Sequence, residues 1–196
     1  MRNATVRRKT TETEISLEIH LDGKGEARID TSVPFLDHML NLFARHSLAD
    51  LEVRGRGDTV IDDHHLVEDV GICLGQAVRK ALGERKGIAR YGAAWIPLDV
   101  SLCGAVMDLS GRPYLIWNAA IAQERIGEFD PSLLREFFKS FSDHGGITLH
   151  VNLMYGRNGH HMAEAIFKAF ARAFREAVAL DGRIEGVLST KGSLEG

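Results

Sequence analysis

The pattern His-His-x-x-Glu occurs twice, as His64-His65-Leu66-Val67-Glu68 and as His160-His161-Met162-Ala163-Glu164, and no other feature constrains the chain so tightly. The surroundings repeat as well. Phe43-Ala-Arg-His46-Ser-Leu-Ala-Asp-Leu51-Glu-Val53 lies over Phe141-Ser-Asp-His144-Gly-Gly-Ile-Thr-Leu149-His-Val151 without a gap. After a loop two residues shorter in the second copy, the motifs coincide, and the segments beyond match at Ala77/Ala173, Arg79/Arg175 and Ala81/Ala177. Self-similarity of this kind marks one helix–strand–loop–helix unit used twice, with equivalent residues set around a pseudo-twofold site. The expected division is residues 1–90 for the first repeat, 91–183 for the second and 184–196 for a C-terminal tail.

Composition excludes several classes. With 44% apolar and 26% charged residues among 196, the chain is an ordinary globular protein able to bury its own core. A net charge of −3 argues against a nucleic-acid binder, and Arg7, Arg8 and Lys9 form only a short basic patch. There is no apolar run of membrane-spanning length, and Met1–Thr13 lacks the apolar core of a secretory signal, so a cytoplasmic protein without membrane contact is expected. Cys73 and Cys103 are too few for a disulfide framework and read as buried thiols.

Hydrophobic periodicity places the motifs. Ile15, Leu17, Ile19 and Leu21 alternate with polar residues, predicting a half-buried strand that ends at Asp22-Gly23-Lys24-Gly25, with His20 toward solvent. Helical spacing predicts a helix over Pro34–Arg45 that carries Asp37 and His38, with Pro34 suited to its first turn. A short strand Ala49–Val53 and a helix over His65–Leu82 follow, the latter stopped by Gly83. Residues Ala94–Ala120 read as strands joined by a turn exposing Arg112, followed by a helix at Ser132–Phe141, a strand at Ile147–Leu153 and a helix at His160–Leu180. Asp143-His144-Gly145-Gly146 reads as a loop with a solvated His144, and His150 as a structural strand residue.

Residues three or four apart on a helix share a face, so His65 with Glu68, and His161 with Glu164, are expected to converge on one ion each. Adjacent histidines diverge by about 100°, which suits His64 and His65 to separate ions. A single copy of the motif would be unremarkable at a helix start; two equivalent copies point to two metals. Carrying the gapless alignment backwards sets His38 opposite Glu136, completing eight metal-ligand candidates: His38, His64, His65, Glu68, Glu136, His160, His161 and Glu164. Four protein ligands per ion leave positions open for substrate, as catalysis requires. Such ligation suits Zn, Mn, Fe, Co or Ni. The same inventory would serve a dinuclear hydrolase or a non-catalytic metal store, whereas a ferritin-like bundle is disfavoured by the strand-rich middle.

Phe35-Leu-Asp-His38-Met-Leu, Asp62-Asp-His-His-Leu-Val-Glu-Asp69 and Gly156-Arg-Asn-Gly-His-His-Met-Ala-Glu-Ala-Ile-Phe-Lys-Ala169 resemble the signatures of the imidazoleglycerol-phosphate dehydratase family. The likeness runs from Arg8-Lys-Thr-Thr-Glu12-Thr13 to Ser189-Thr-Lys191-Gly192, in the monofunctional form that lacks an added phosphatase domain. It implies an α+β fold, an internally duplicated unit like ribosomal protein S5 domain 2 with β-sheets packed on paired helices. It also implies trimers assembled into a 24-subunit particle, with two Mn²⁺ per active site between subunits. The implied reaction is the dehydration of imidazole glycerol phosphate to imidazole acetol phosphate in histidine biosynthesis. The proton lost from carbon 2 is not next to a carbonyl, so the imidazole must serve as electron sink: ring nitrogens bound to metals favour an imidazolate that expels the carbon-3 hydroxyl as a diazafulvene forms. By the same resemblance Glu12 and Glu164 move protons, assisted by His38 and Asp99. Substrate contacts fall to Glu12, His46, Arg90, Arg112, Lys168, Ser189 and Lys191, of which the cations and Ser189 suit the phosphate. Glu136 stands where many members carry His.

Overall fold

A computed structural model describes residues 2–194; residue 1 and the last two residues of the tail lie outside the described residues. Each half follows the same order. The first contains β1 (Asn3–Lys9), β2 (Thr13–His20), β3 (Ala27–Asp30), α1 (Pro34–Ser47), β4 (Asp50–Gly57) and α2 (His64–Leu82). The second contains β5 (Tyr91–Leu98), β6 (Ser101–Asp108), β7 (Tyr114–Asn118), α3 (Leu133–Gly145), β8 (Thr148–Tyr155) and α4 (Gly159–Val178). The two four-stranded sheets share one topology, β1-β2-β4-β3 and β5-β6-β8-β7, with an antiparallel trio and one parallel edge strand in each.

The alternation in β2 turns Ile15, Leu17 and Ile19 inward and Glu14, Ser16 and Glu18 outward, as period two requires. Strand β4 continues to Gly57, four residues past the expected end at Val53, because it pairs along the whole of β2. Strands β1 and β3 had no distinct apolar signal: β1 is an edge strand with one buried side chain, Val6, and the short basic patch Arg7, Arg8 and Lys9 forms its last three residues. Helix α3 runs to Gly145, so His144 lies in its last turn, with Nδ1 3.0 Å from the Ser140 carbonyl oxygen, instead of in the expected solvated loop. The left-handed conformation that ends the helix falls one residue later, on Gly146 (φ 64°).

The helices join the halves. Helix α1 packs on α4 and α2 on α3, while α2 covers β1 and β2 and α4 covers β5 and β6. The approach of α2 to α3 depends on Gly71 and Gly75, one turn apart: a Cβ would stand 2.5 Å from the Phe137 carbonyl oxygen at the first and 2.6 Å from that of Phe141 at the second. Around this contact Phe43 of α1, Phe138 and Phe141 of α3, and Phe167, Phe170 and Phe174 of α4 form one fully buried aromatic cluster. The outer faces differ. That of the first sheet is charged, carrying Glu14, Glu18, Arg54 and Arg56, whereas that of the second exposes Tyr91, Trp95, Val106 and Tyr114. No described helix is long and apolar enough to cross a membrane, and Cys73 and Cys103 are free, buried thiols, each pushed up to about 12 by burial.

Candidate active site

Both motifs open helices. Asn158 caps α4, its side-chain oxygen accepting the His161 backbone N–H at 3.1 Å, and Asp62 accepts the His64 backbone N–H at 2.8 Å. A second contact at α4 comes from Gln123, which accepts the Gly159 N–H at 3.0 Å.

The first group joins the halves. His38 of α1 and His160 of α4 both turn Nε2 onto the same oxygen, Glu164 Oε1, at 2.9 and 3.0 Å, while Lys168 donates to Oε2 at 2.6 Å. The Phe35 ring packs against both imidazoles, its centroid 6.5 Å from His38 and 5.5 Å from His160, and is backed by Phe129 at 5.0 Å. Burial of Glu164 works to raise its pKa, but the bonds from Lys168, His38 and His160 together outweigh it and hold the carboxyl at about 2, below the ordinary 4.5. A lowered folded-state pKa adds stability that is complete above pH 4.5 and is lost as pH falls toward about 2. Urea midpoints of the metal-free protein should therefore drop more steeply across that window than those of Glu164→Gln; parallel curves would rule this carboxylate out as a source of acid sensitivity.

The second group lies at the start of α2. His65 Nδ1 is 3.0 Å from Asp58 Oδ2 and 3.8 Å from Glu12 Oε2, bringing together the β1–β2 turn, the end of β4 and the first helical turn. The hydrogen bond with Asp58, aided by the charges of Glu12 and Asp58, raises the His65 pKa against a smaller opposing effect of desolvation. In the second half His161 faces Asp99 of the β5–β6 turn, Nδ1 to Oδ2 3.7 Å, and that buried Nδ1 has no hydrogen-bond partner.

Glutamate pairing differs from the sequence expectation. Glu68 faces His64 (3.8 Å) and Glu164 faces His160, both four residues apart, while His65 and His161 point to the strand turns. The i,i+4 pair prevails because side chains lean toward the helix N-terminus, over the preceding turn. The two rings of each motif stand nearly perpendicular, 79° and 83° apart. Among the described residues, two groups bring three potential ligand atoms within 4.8 Å of one another: His38, His160 and Glu164, and Glu12, Asp58 and His65. Glu136 accepts from Arg135 Nη1 at 3.0 Å and, like His64, Glu68 and His161, joins neither group.

Arg90, Arg112, Ser189 and Lys191 line one cleft of about 680 Å³ with Arg183 and Thr190. Arg112 is exposed as expected, but Arg90 is buried and has positive φ (69°). Its Nε and Nη2 donate to Asp108 at 2.7 and 3.0 Å, and Nη1 donates to the Leu188 carbonyl at 2.6 Å, so Arg90 ties the tail to β6. His46 is half-buried; burial, followed by the charges of Lys168, Arg172 and Arg45, lowers its pKa. Sequence reasoning missed Asp58 and Phe35. Asp58 is invisible to the repeat because Gly156 takes its place in the second copy, and Phe35 carries no chemistry of its own.

A duplicated α+β fold with two imidazole–carboxylate groups at its helix starts defines the class as an internally repeated protein with candidate metal-binding groups. The sequence profile of imidazoleglycerol-phosphate dehydratase matches residues 31–174. The chain is 63% identical over 195 residues to the imidazoleglycerol-phosphate dehydratase of Syntrophus aciditrophicus, with 99% of each covered. It is 58% identical over 193 residues to that of Geobacter metallireducens, with 98% of this chain and 99% of the other covered. The crystal structure of imidazoleglycerol-phosphate dehydratase from Staphylococcus aureus superposes with a TM-score of 0.83 at 39% identity, covering 91% of this chain and 99% of that one. The Pyrococcus furiosus enzyme in complex with (S)-C348 gives 0.83 at 37%, covering 96% and 99%. The chain belongs to the imidazoleglycerol-phosphate dehydratase family, the hydro-lyases of histidine biosynthesis with the number EC 4.2.1.19.

Proposed function

We propose that the two imidazole–carboxylate groups are the metal-holding and proton-moving parts of this dehydratase and that the cleft of Arg90, Arg112, Ser189 and Lys191 receives the substrate phosphate. The observation that carries this is the convergence of His38 and His160 on one oxygen of Glu164. The donor set fits a metal: three ligand atoms already lie together, and a buried His161 nitrogen faces a carboxylate without a partner. His38, His160 and Glu164 would hold one ion; His64, His65, Glu68, His161 and Glu136 are the remaining ligands. Mn²⁺, two per active site, is the ion proposed, and when bound it would supply the positive charge that lets the imidazole ring act as electron sink.

The chain's own groups do the rest. Glu12 and Glu164 exchange the two protons of the dehydration at their carboxylate oxygens. His38 steadies Glu164 through Nε2, and Asp99 orients His161. Lys168 holds the second oxygen of Glu164 and adds a cation near His46 on the substrate side. Arg112 and Lys191 offer exposed cationic donors to phosphate, and Ser189 a hydroxyl.

A complete site is proposed to draw on neighbouring copies, as trimers within a 24-subunit particle. Within one chain the ligands fall into separate groups outside the phosphate cleft, and the exposed Trp95, Val106 and Tyr114 give the second sheet an apolar face suited to burial between subunits. The division into repeats 1–90 and 91–183 with a tail from 184 to 196 accords with this, each repeat carrying one β-β-β-α-β-α set and tail residues between Ile184 and Leu194 lining the cleft. The test is to strip the protein of metal, add Mn²⁺ or Zn²⁺ separately with imidazole glycerol phosphate, and follow imidazole acetol phosphate alongside particle mass. Full activity without any metal, or in a monomer, would overturn the proposal.

A further inference from the structure

We infer that Asp69 is a positioning residue that acts through Glu12, fixing the turn that presents this carboxylate to His65; the inference rests on the proton-moving role proposed for Glu12. Asp69 lies on α2 immediately after Glu68 and is 7% exposed. Its Oδ2 accepts from Thr13 Oγ1 at 2.5 Å, and its Oδ1 is 2.9 Å from Arg8 Nε, an ion pair without hydrogen-bond alignment. Thr13 Oγ1 lies 3.2 Å from Thr10 Oγ1, which accepts the backbone N–H groups of Glu12 at 3.1 Å and Thr13 at 2.9 Å.

The direction of this chain follows from counting donors. A hydroxyl has one proton and two acceptor lone pairs. Thr10 Oγ1 uses both lone pairs on the two N–H groups, so its proton goes to Thr13 Oγ1. The Thr13 proton then goes to Asp69, and only an acceptor at that end satisfies every member. An ionised carboxylate meets this condition without alternatives. The turn is fastened on its other side by the Asp58 N–H, which donates to the Glu12 carbonyl at 3.1 Å, so Glu12 is held between the residue that bonds His65 and the helix that carries His65.

The other repeat provides an internal control. Ala165 stands where Asp69 would fall, and Ser101, the first residue of β6 as Thr13 is of β2, has a buried Oγ with no hydrogen-bond partner. At the position of Asp69 the second half packs α4 on β5 and β6 with Ala165, its α4 carboxylate contact to β5 lying further along, at Glu176 and the Ala93 N–H, so the fold does not need a carboxylate at this place. Burying a charged group costs free energy that packing alone would not return. Asp69 is therefore explained by the turn it holds.

Asp69→Asn leaves a single acceptor oxygen for the Thr13 hydroxyl and the Arg8 guanidinium, which two carboxylate oxygens face in the wild type, and Thr13→Val removes the relay while leaving the Asp69–Arg8 pair. Each variant is expected to lower kcat by about 10–100-fold, as loss of an outer support does, with KM and bound metal unchanged. In a Glu12→Gln background, Asp69→Asn should have no further effect, because the group it positions is gone. Wild-type kcat in Thr13→Val, or in a folded Asp69→Asn, would overturn the inference, as would undiminished loss in the Glu12→Gln background. Should Asp69→Asn not fold, Thr13→Val and its double variant with Glu12→Gln decide the matter. A wild-type rate for Glu12→Gln alone would instead sink the role of Glu12, which is a separate outcome.

Discussion

Glu164→Gln is expected to lower kcat by about 10²–10⁴-fold, the range for losing a positioned acid–base group, while leaving the circular dichroism spectrum unchanged. The amide keeps the shape of the side chain and loses its charge. His38, His160 and Lys168 all address the two carboxylate oxygens, and the amide offers one oxygen and one NH₂ in their place. With the amide oxygen toward the imidazoles its NH₂ faces the Lys168 ammonium, donor against donor, and the reverse placement suits the amide only where the imidazole Nε2 atoms accept. Loss of the charge also weakens any cation held beside the two imidazoles, so metal retained after dialysis should fall together with kcat. A wild-type rate in Mn²⁺-saturated variant would remove Glu164 from the chemistry, and low activity with full metal content would assign it to proton movement alone.

Phe170→Ala has the largest expected effect on stability, a loss of about 3–5 kcal/mol. The Phe170 ring is fully buried; it stacks on Phe43 at 5.2 Å and meets Phe138 and Phe141 edge-on at 5.0 Å each. The cavity left by truncation would open where α1, α3 and α4 meet, and the Gly71–Phe137 and Gly75–Phe141 approaches leave the backbone little room to close over it. Denaturant midpoints at one fixed protein concentration measure the loss, since association would make the apparent stability depend on concentration. A shift of less than about 1 kcal/mol, well below the range for such truncations, would mean that the cluster relaxes and that the two halves are not joined as rigidly as described.

Much of the architecture was legible because each repeat constrained the other. Helix α1 followed from Pro34 and the spacing of Leu36, Met39, Leu40 and Phe43, and α2 and α4 followed from the paired motifs. Strand β3, four residues long, and the edge strand β1 had too few inward side chains to produce a period. His38, His160 and Glu164 were nominated by the repeat and meet in the structure. Glu136, His64, Glu68 and His161 were nominated in the same way and lie outside both three-donor groups within one chain. Asp58, without an acidic counterpart, could not be reached in this way. The burial of Arg90 was hidden because its partners, Asp108 and the Leu188 carbonyl, are respectively 18 and 98 residues away.

The crosswise packing of α1 on α4 also bears on how the protein is made. During synthesis α1 emerges long before its partner, and α2 waits for α3 with a notch at Gly71 and Gly75 that no earlier segment fills. The face of α1 that carries Phe43 therefore has no cover on the ribosome until α4 is clear of the exit tunnel, although β1, β2, β4 and α2 have partners within their own half. A pause or truncation anywhere between the repeats would release a half-finished layer of helices with an aromatic face open to other chains.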